Sequence, residues 1–271
     1  MEVLAEDEDG RYAATALGEE LRSDRSGPQV RLFASETEFQ AWLHLDHSIR
    51  TGERAFDFVY GMRNWDYYAT HPAEAAIFDA GMSAITRPAS QAVAGAYDFS
   101  RFASLADIGG GEGTLLLEIM RRHPFIRGLL FDRPEVIERA RKHLTESGLA
   151  DRCDLVAGSF FDSVPSGAGA YIMKSIIHDW ADGEAVAILQ RCRDAVANTG
   201  APLLLVERVL RARVGPEDLM DLLSDINMMV NPGGLERTEA EFGALMLQAN
   251  FRLERLVPTG TQFQIIEAVP A

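Results

Sequence analysis

Asp107-Ile108-Gly109-Gly110-Gly111-Glu112-Gly113 follows a short apolar run at 105–108 and opens an amphipathic stretch at 115–123. A glycine-rich turn between a strand and a helix lets a ligand approach backbone amides at the helix N-terminus. Some such turns are only tight connections, so the spacing carries the information. A dinucleotide fingerprint needs glycines at alternate positions and a third three residues further on. Counted from Gly109 and Gly111 that third position is Thr114; counted from Gly110 the second is Glu112. No Gly-Lys-Ser/Thr follows, so the P-loop pattern fails as well. What remains is an acid two residues before the first glycine, with glycines at 109, 111 and 113.

The same alternation continues outward from this turn. Apolar runs at 105–108, 128–131, 154–156, 170–173, 203–206, 253–257 and 263–268 read as strands. Helix-like stretches lie at 115–123, 134–147, 184–196, 217–230 and 239–249. Strands alternating with helices predict an α/β fold, with a doubly wound, mostly parallel sheet. Nearly continuous apolar strands predict a sheet buried on both faces. The last two runs are joined by Pro258-Thr259-Gly260-Thr261, too short for a helical crossover, so the last strand should be antiparallel. Thr238-Glu239-Ala240-Glu241 reads as a capping box, Pro134 as a first helical turn, and Asn231-Pro232-Gly233-Gly234 as a turn. Before about residue 97 the pattern is helical and aromatic-rich. The chain therefore divides into 1–97 and 98–271.

Length and composition set the outer limits. The chain has 271 residues, suited to one large α/β domain with a smaller appendage. Acidic residues number 41 against 26 basic ones, a net charge of −15. Such a surface repels phosphate backbones and anionic lipid, so neither nucleic acid nor a membrane is an expected partner. Cys153 and Cys192 form no metal-binding spacing and no disulfide framework. No apolar run approaches the ~20 residues that span a bilayer. No signal peptide is read in the acidic opening residues, and a cytoplasmic protein fits.

Ligands of open α/β sheets bind at the carboxyl ends of the strands. His178, in Met173-Lys174-Ser175-Ile176-Ile177-His178-Asp179-Trp180, follows the fourth strand and is placed to take a proton near neutral pH. The other five histidines lie in helix-like or linking segments and read as surface or packing residues. Glu207 ends the fifth strand, and Glu236 follows the glycine turn. A carboxylate bonded to the imidazole would fix its tautomer and raise its basicity. The competing reading makes each glutamate a partner of Arg208 or Arg237. Asp132 ends the second strand, where it either caps a helix or takes the hydroxyls of a ribose.

Three motifs then fall in order, at 107–113, 174–180 and 231–238. The first is similar to motif I of class I S-adenosylmethionine-dependent methyltransferases. Together they resemble the caffeate-type small-molecule O-methyltransferases, in their bacterial natural-product branch, over nearly the whole chain. The resemblance implies a Rossmann-like sheet, S-adenosylmethionine as cofactor and no metal. It implies His178 as general base, flanked by Glu207 and Glu236. Cofactor contacts are expected from Asp107 (toward the ammonium), Gly109, Gly111, Asp132 (toward the ribose), Ser159, Phe160 and Lys174. Ser159 stands where the family has an aspartate, so it meets adenine without charge. Asp79 and Met82 are expected to face a small aromatic hydroxyl substrate, with Asn227 and Met228 opposite.

The segment from Gly10 to Leu21 resembles the wing of the family's winged-helix region. The helices that precede it in the family, which form most of the dimer interface, are not found here. A truncated winged-helix region, exposed apolar surface on the front helices, and a monomer or weak dimer are therefore expected. Two rival readings stay open: a cofactor-binding homologue that performs hydroxylation or decarboxylation, and a non-catalytic winged-helix regulator.

Overall fold

The computed structural model describes residues 2–271; Met1, where the expected N-terminal region begins, lies outside them. The front part opens with a short antiparallel hairpin, β1 (Leu4–Glu6) and β2 (Tyr12–Ala14), turning at Gly10. Seven helices follow: α1 (Ala16–Glu20), α2 (Gly27–Phe33), α3 (Glu36–Leu43), α4 (Leu45–Thr51), α5 (Ala55–Tyr60), α6 (Asn64–Thr70) and α7 (Pro72–Ala96). The second part runs β3 (Ser104–Ile108), α8 (Thr114–Arg122), β4 (Arg127–Asp132), α9 (Pro134–Glu146), β5 (Cys153–Ala157) and β6 (Ala170–Lys174). It continues with α10 (Asp182–Ala195), β7 (Leu203–Glu207), β8 (Val209–Leu210), α11 (Leu219–Val230), β9 (Arg237–Thr238), α12 (Glu239–Gln248), β10 (Phe251–Pro258) and β11 (Gln264–Pro270).

The main sheet has seven strands in the order β10-β11-β7-β6-β3-β4-β5. All neighbours are parallel except those of β11, which is antiparallel to both β10 and β7. The expected parallel sheet with an antiparallel last strand is therefore present. Its strands read as continuous apolar runs because successive residues enter different cores. In β7, Leu203 and Leu205 join one core, with Ile188 and Leu189 of α10 and Phe242 and Met246 of α12. Leu204 and Val206 join the other, with Val93 of α7, Leu116 and Ile119 of α8, and Ile137 of α9. An alternating strand would leave one of these faces unable to bury its helices.

The chain builds β3, β4 and β5 to one side, then returns to build β6 and β7 on the other. A crevice opens where the winding reverses, between β3 and β6. The long helix α7 crosses this edge and sends Phe78, Asp79, Met82, Ser83 and Thr86 to the cavity there. Their spacing of three and four places them on one helical face. Gly81 lies on another face, against α2, where an added Cβ would sit 2.6 Å from the Leu32 side chain. The expected exposed apolar side chains on the front helices are present, including Val30, Phe33, Phe39, Leu43, Ile49 and Phe58. Among the described residues, no helix is long and apolar enough to cross a membrane.

Candidate active site

A cavity of about 490 Å³ occupies the crevice and extends under the front helices. Its floor is the glycine turn after β3. Gly109, Gly111 and Gly113 all have φ between 59° and 83°, a region that costs L side chains energy. At Gly110 a Cβ would meet the Asp107 carboxylate and Leu130 within 2.7 Å. At Gly111 it would meet nothing within 4 Å, because that position opens onto the cavity.

Asp107 is 1% exposed, and neither of its carboxylate oxygens has a hydrogen-bond partner among the described residues. Burial, with help from Asp132, raises it to about 7, against the opposing charge of Lys174. An uncompensated buried carboxylate on a cavity wall calls for a cationic ligand. Asp132 accepts the Gly111 amide at 2.8 Å and the Arg133 amide at 2.7 Å, so it braces the glycine turn from the end of β4. Burial raises its carboxyl despite those two bonds.

Phe160 packs edge-on against Trp180 with ring centroids 6.0 Å apart. Ser159 lines the cavity with its hydroxyl accepting the Phe161 amide at 3.2 Å. Lys174 donates to Thr86 of α7 at 3.2 Å and to Ser175 at 3.1 Å, and lies 4.5 Å from the Phe263 ring centroid. Burial lowers it to about 8, against the pull of Glu207 and Asp107.

His178 lies on a single turn just beyond β6. The turn is reached through Ser175, whose φ of 54° is unusual for a residue with a side chain and marks strain beside the site. Glu207 Oε1 accepts the amides of Ile176 and Ile177 at 3.0 and 2.9 Å, fastening the turn to the end of β7. Glu236 Oε1 lies 3.0 Å from His178 Nδ1 and accepts the Ser224 hydroxyl at 2.7 Å. Glu207 Oε2 stands farther from Nδ1, at 3.8 Å, and Asp179 Oδ1 is 3.5 Å from Nε2. The roles therefore divide: Glu236 orients the ring, and Glu207 chiefly holds the turn that carries it. The competing partners are not used, since Arg208 pairs with Asp221 and Arg237 with Asp182.

The charges follow from this packing. Burial alone would lower His178, but Glu207, Glu236 and Asp179 outweigh it and raise the imidazole to about 10. Glu236 is raised by burial, but His178 and its two hydrogen bonds hold it below its ordinary value. Asp179 is raised by burial to about 7 despite His178, and Glu207 is raised for the same reason.

The substrate-side expectations divide. Met82 and Met228 line the cavity, Met228 being almost fully buried. Asn227 lines it too, but its Oδ1 is taken by Trp42 Nε1 at 2.9 Å and Asn231 Nδ2 at 2.8 Å. Only its amide N–H groups are left for a ligand. Asp79 lines the cavity as expected, but it also meets a cation that the sequence did not announce. Its Oδ2 lies 2.7 Å from Arg139 Nη2, a charge contact without hydrogen-bond alignment, because α9 brings Arg139 against α7. Burial raises Asp79 to about 6, and Arg139 opposes.

Several residues here were not singled out from the sequence. Asp179 had one available signal, its adjacency to His178. Ser224 and Glu38 had none: Ser224 meets Glu236 only once the chain turns back after α11, and the partner of Glu38 lies on a distant segment. Arg237 is fully buried and spans the turn, donating to the carbonyls of Ile177 at 3.0 Å and Trp180 at 2.8 Å. Gly234 touches the same turn: a Cβ there would lie 1.9 Å from the His178 carbonyl oxygen.

The reversed-winding sheet, the glycine turn with its buried acid, and the histidine held between carboxylates define a class I methyltransferase site. The chain belongs to the O-methyltransferase domain family, which it matches over residues 42–252. It is 40% identical over 271 residues to the phenazine O-methyltransferase of Lysobacter antibioticus, covering 99% of this chain and 78% of that one. It is 37% identical over 255 residues to the mitomycin biosynthesis 6-O-methyltransferase of Streptomyces lavendulae, covering 93% and 72%. An O-methyltransferase of neocarzinostatin biosynthesis, solved with S-adenosylmethionine and 2-hydroxy-5-methyl naphthoic acid, superposes with a TM-score of 0.86. The two are 32% identical over 99% of this chain and 81% of that one. The protein is thus an O-methyltransferase that uses S-adenosylmethionine.

Its residues fit that cofactor. Asp107 offers the unpaired carboxylate that an ammonium needs, and Gly111 leaves open the space beside it. Asp132, Ser159, Phe160 and Lys174 line the same cavity.

Proposed function

We propose that this enzyme methylates a phenolic hydroxyl of a small aromatic secondary metabolite, with His178 as the general base. The observation that carries the reading is the His178–Glu236 pair at 3.0 Å, with His178 on the cavity wall. Glu236 is an acceptor, so Nδ1 keeps its proton, and Nε2 is the ring's acceptor once the imidazole is neutral. Nε2 takes the phenolic proton as the oxygen attacks. S-Adenosylmethionine supplies the methyl group from a sulfonium whose sulfur leaves as a neutral thioether. Glu236, Glu207 and Asp179 stabilise the imidazolium that forms, and the four groups titrate as one cluster. A cation in the cavity opposes that charge, so His178 loses its own proton more readily in the loaded enzyme.

Asp107 and Asp132 hold the cofactor's ammonium and ribose, and Lys174 and Phe160 close its pocket. The front region, expected over 1–97, covers the substrate through Leu32, Trp65, Tyr68 and Phe78, which line the cavity. Alignment and exclusion of water then supply much of the remaining acceleration.

The test is incubation with labelled S-adenosylmethionine and a panel of phenolic aromatics, read by mass spectrometry. The expected product is a methyl ether, formed about 10²–10⁴-fold more slowly by His178→Ala. An unchanged kcat in that variant would refute the base assignment.

A further inference from the structure

Helix α11 runs along the cavity wall with Ser224, Asn227, Met228 and, at its end, Asn231 facing inward. Steps of three and four keep these residues on one face. From Ser224 to Asn231 is seven residues, or about 10 Å along the axis. The near end is the reactive end, because Ser224 donates to Glu236 at 2.7 Å and Glu236 holds His178. At the far end, Asn231 Nδ2 donates to Glu38 Oε2 at 2.8 Å.

The far end has an unusual balance of donors and acceptors. Glu38 comes from α3 and is 6% exposed. Its side-chain bonds among the described residues come from two neutral donors, Asn231 and the Tyr68 hydroxyl at 3.2 Å. Each oxygen keeps a further lone pair. Asn231 Oδ1 is buried and has no partner among the described residues. Turning the Asn231 amide over would not help. Both partners of Nδ2, Glu38 Oε2 and Asn227 Oδ1, are acceptors. This end of the cavity therefore presents acceptors in excess. The same cavity is also lined by Met228, Met82, Trp65 and Phe78, apolar and suited to a flat ring system.

We infer that Glu38 and Asn231 form a second recognition point, for an N–H or O–H donor on the edge of the substrate remote from the methylated hydroxyl. The substrate class is an aromatic of two to three fused rings, hydroxylated at one end and bearing an amino, ring N–H or hydroxyl group at the other. This rests on the function proposed above and narrows it. Burial raises Glu38 to about 7, so a ligand donor also relieves a carboxylate that has no cationic partner among the described residues.

The test compares 2-naphthol with 6-amino-2-naphthol, 2,6-dihydroxynaphthalene and 6-methoxy-2-naphthol on the full chain. Binding is measured by calorimetry with S-adenosylhomocysteine present, and transfer by kcat/KM with labelled S-adenosylmethionine. The amino and dihydroxy compounds should bind about tenfold or more tightly than 2-naphthol, since a hydrogen bond to a charged group is gained. The methoxy compound, which offers only an acceptor, should bind more weakly than 2-naphthol. The relative strength of amine and second hydroxyl identifies which donor the site takes. Glu38→Gln should erase the preference while leaving affinity for S-adenosylhomocysteine within about threefold. If that variant does not fold, the ligand series on the unaltered protein still decides.

Equal binding of 2-naphthol and 6-amino-2-naphthol would overturn the inference. Donor preference in binding without any methyl transfer would overturn the proposed function and leave the recognition point standing. Transfer without donor preference would do the reverse.

Discussion

Gly234→Ala is the most demanding perturbation, because it moves His178, the proposed base, without touching its side chain. An added Cβ would lie 1.9 Å from the His178 carbonyl oxygen, 2.4 Å from the Asp179 carbonyl carbon and 2.6 Å from the Trp180 amide nitrogen. All three are backbone atoms, so no side chain can swing aside. Relief requires the 177–180 turn and the 232–235 turn to part by at least about 1 Å, and a misplacement of that size costs on the order of 10² in rate. The turn is also held from behind. Leu235 donates to the same His178 carbonyl at 2.9 Å, and Arg237 spans the carbonyls of Ile177 and Trp180. Strain should therefore appear as lost stability of about 1–3 kcal/mol, in the range of overpacked cores.

The assay is kcat at saturating S-adenosylmethionine, with affinity for S-adenosylhomocysteine and the melting temperature measured in parallel. We expect kcat to fall about 10²-fold while cofactor affinity changes little, since the glycine turn after β3 is not displaced. Gly243→Ala is the control. It lies in α12 with nothing within 4 Å of its Cβ, and should gain roughly 0.5–1 kcal/mol with unchanged kcat. A Gly234→Ala enzyme with kcat within about threefold of the parent and unaltered melting would refute the reasoning.

Asp107→Asn should weaken S-adenosylmethionine binding and alter its proton linkage. The folded-state value of Asp107 is raised to about 7, so its contribution to stability is present at low pH and is lost as pH rises toward that value. A bound ammonium draws the carboxyl back down, so binding near pH 6 should release protons. Calorimetry in buffers of different ionisation enthalpy reads this; proton release undiminished in Asp107→Asn would exclude the assignment. Arg237→Gln should leave the Ile177 and Trp180 carbonyls unpaired and cost about 1–3 kcal/mol. It should also lower kcat more than cofactor affinity, and a variant with parental melting and kcat would show that the clamp is dispensable.

Much of the fold was legible because it depends on local patterns. The strand at 203–206 reads as buried from its four apolar residues alone, and the structure confirms both faces are covered. The capping box at Thr238 is closed by the Glu241 amide and carboxylate at 3.4 and 2.8 Å. His178 and Glu236 were found because motifs carry them. Asp79 was placed toward the substrate because its helix position points at the cavity; nothing near it in sequence announces Arg139, sixty residues on. Glu38 was invisible for the same reason. It lies in a short helix rich in charged and aromatic residues, and its partner Asn231 is 193 positions away.

The sequence by itself determined the winding of the sheet, the glycine floor of the cofactor pocket and the order of the three motifs. Apolar periodicity, turn residues and chain connectivity are properties of neighbours, and they act before any distant contact forms. Only the tertiary structure decided how the carboxylates divide their work. Glu236 orients the histidine, Glu207 fastens its turn, and Asp107 waits unpaired. Those roles depend on burial and on distances between segments far apart in the chain, which alone set the hydrogen bonds and charges of the site.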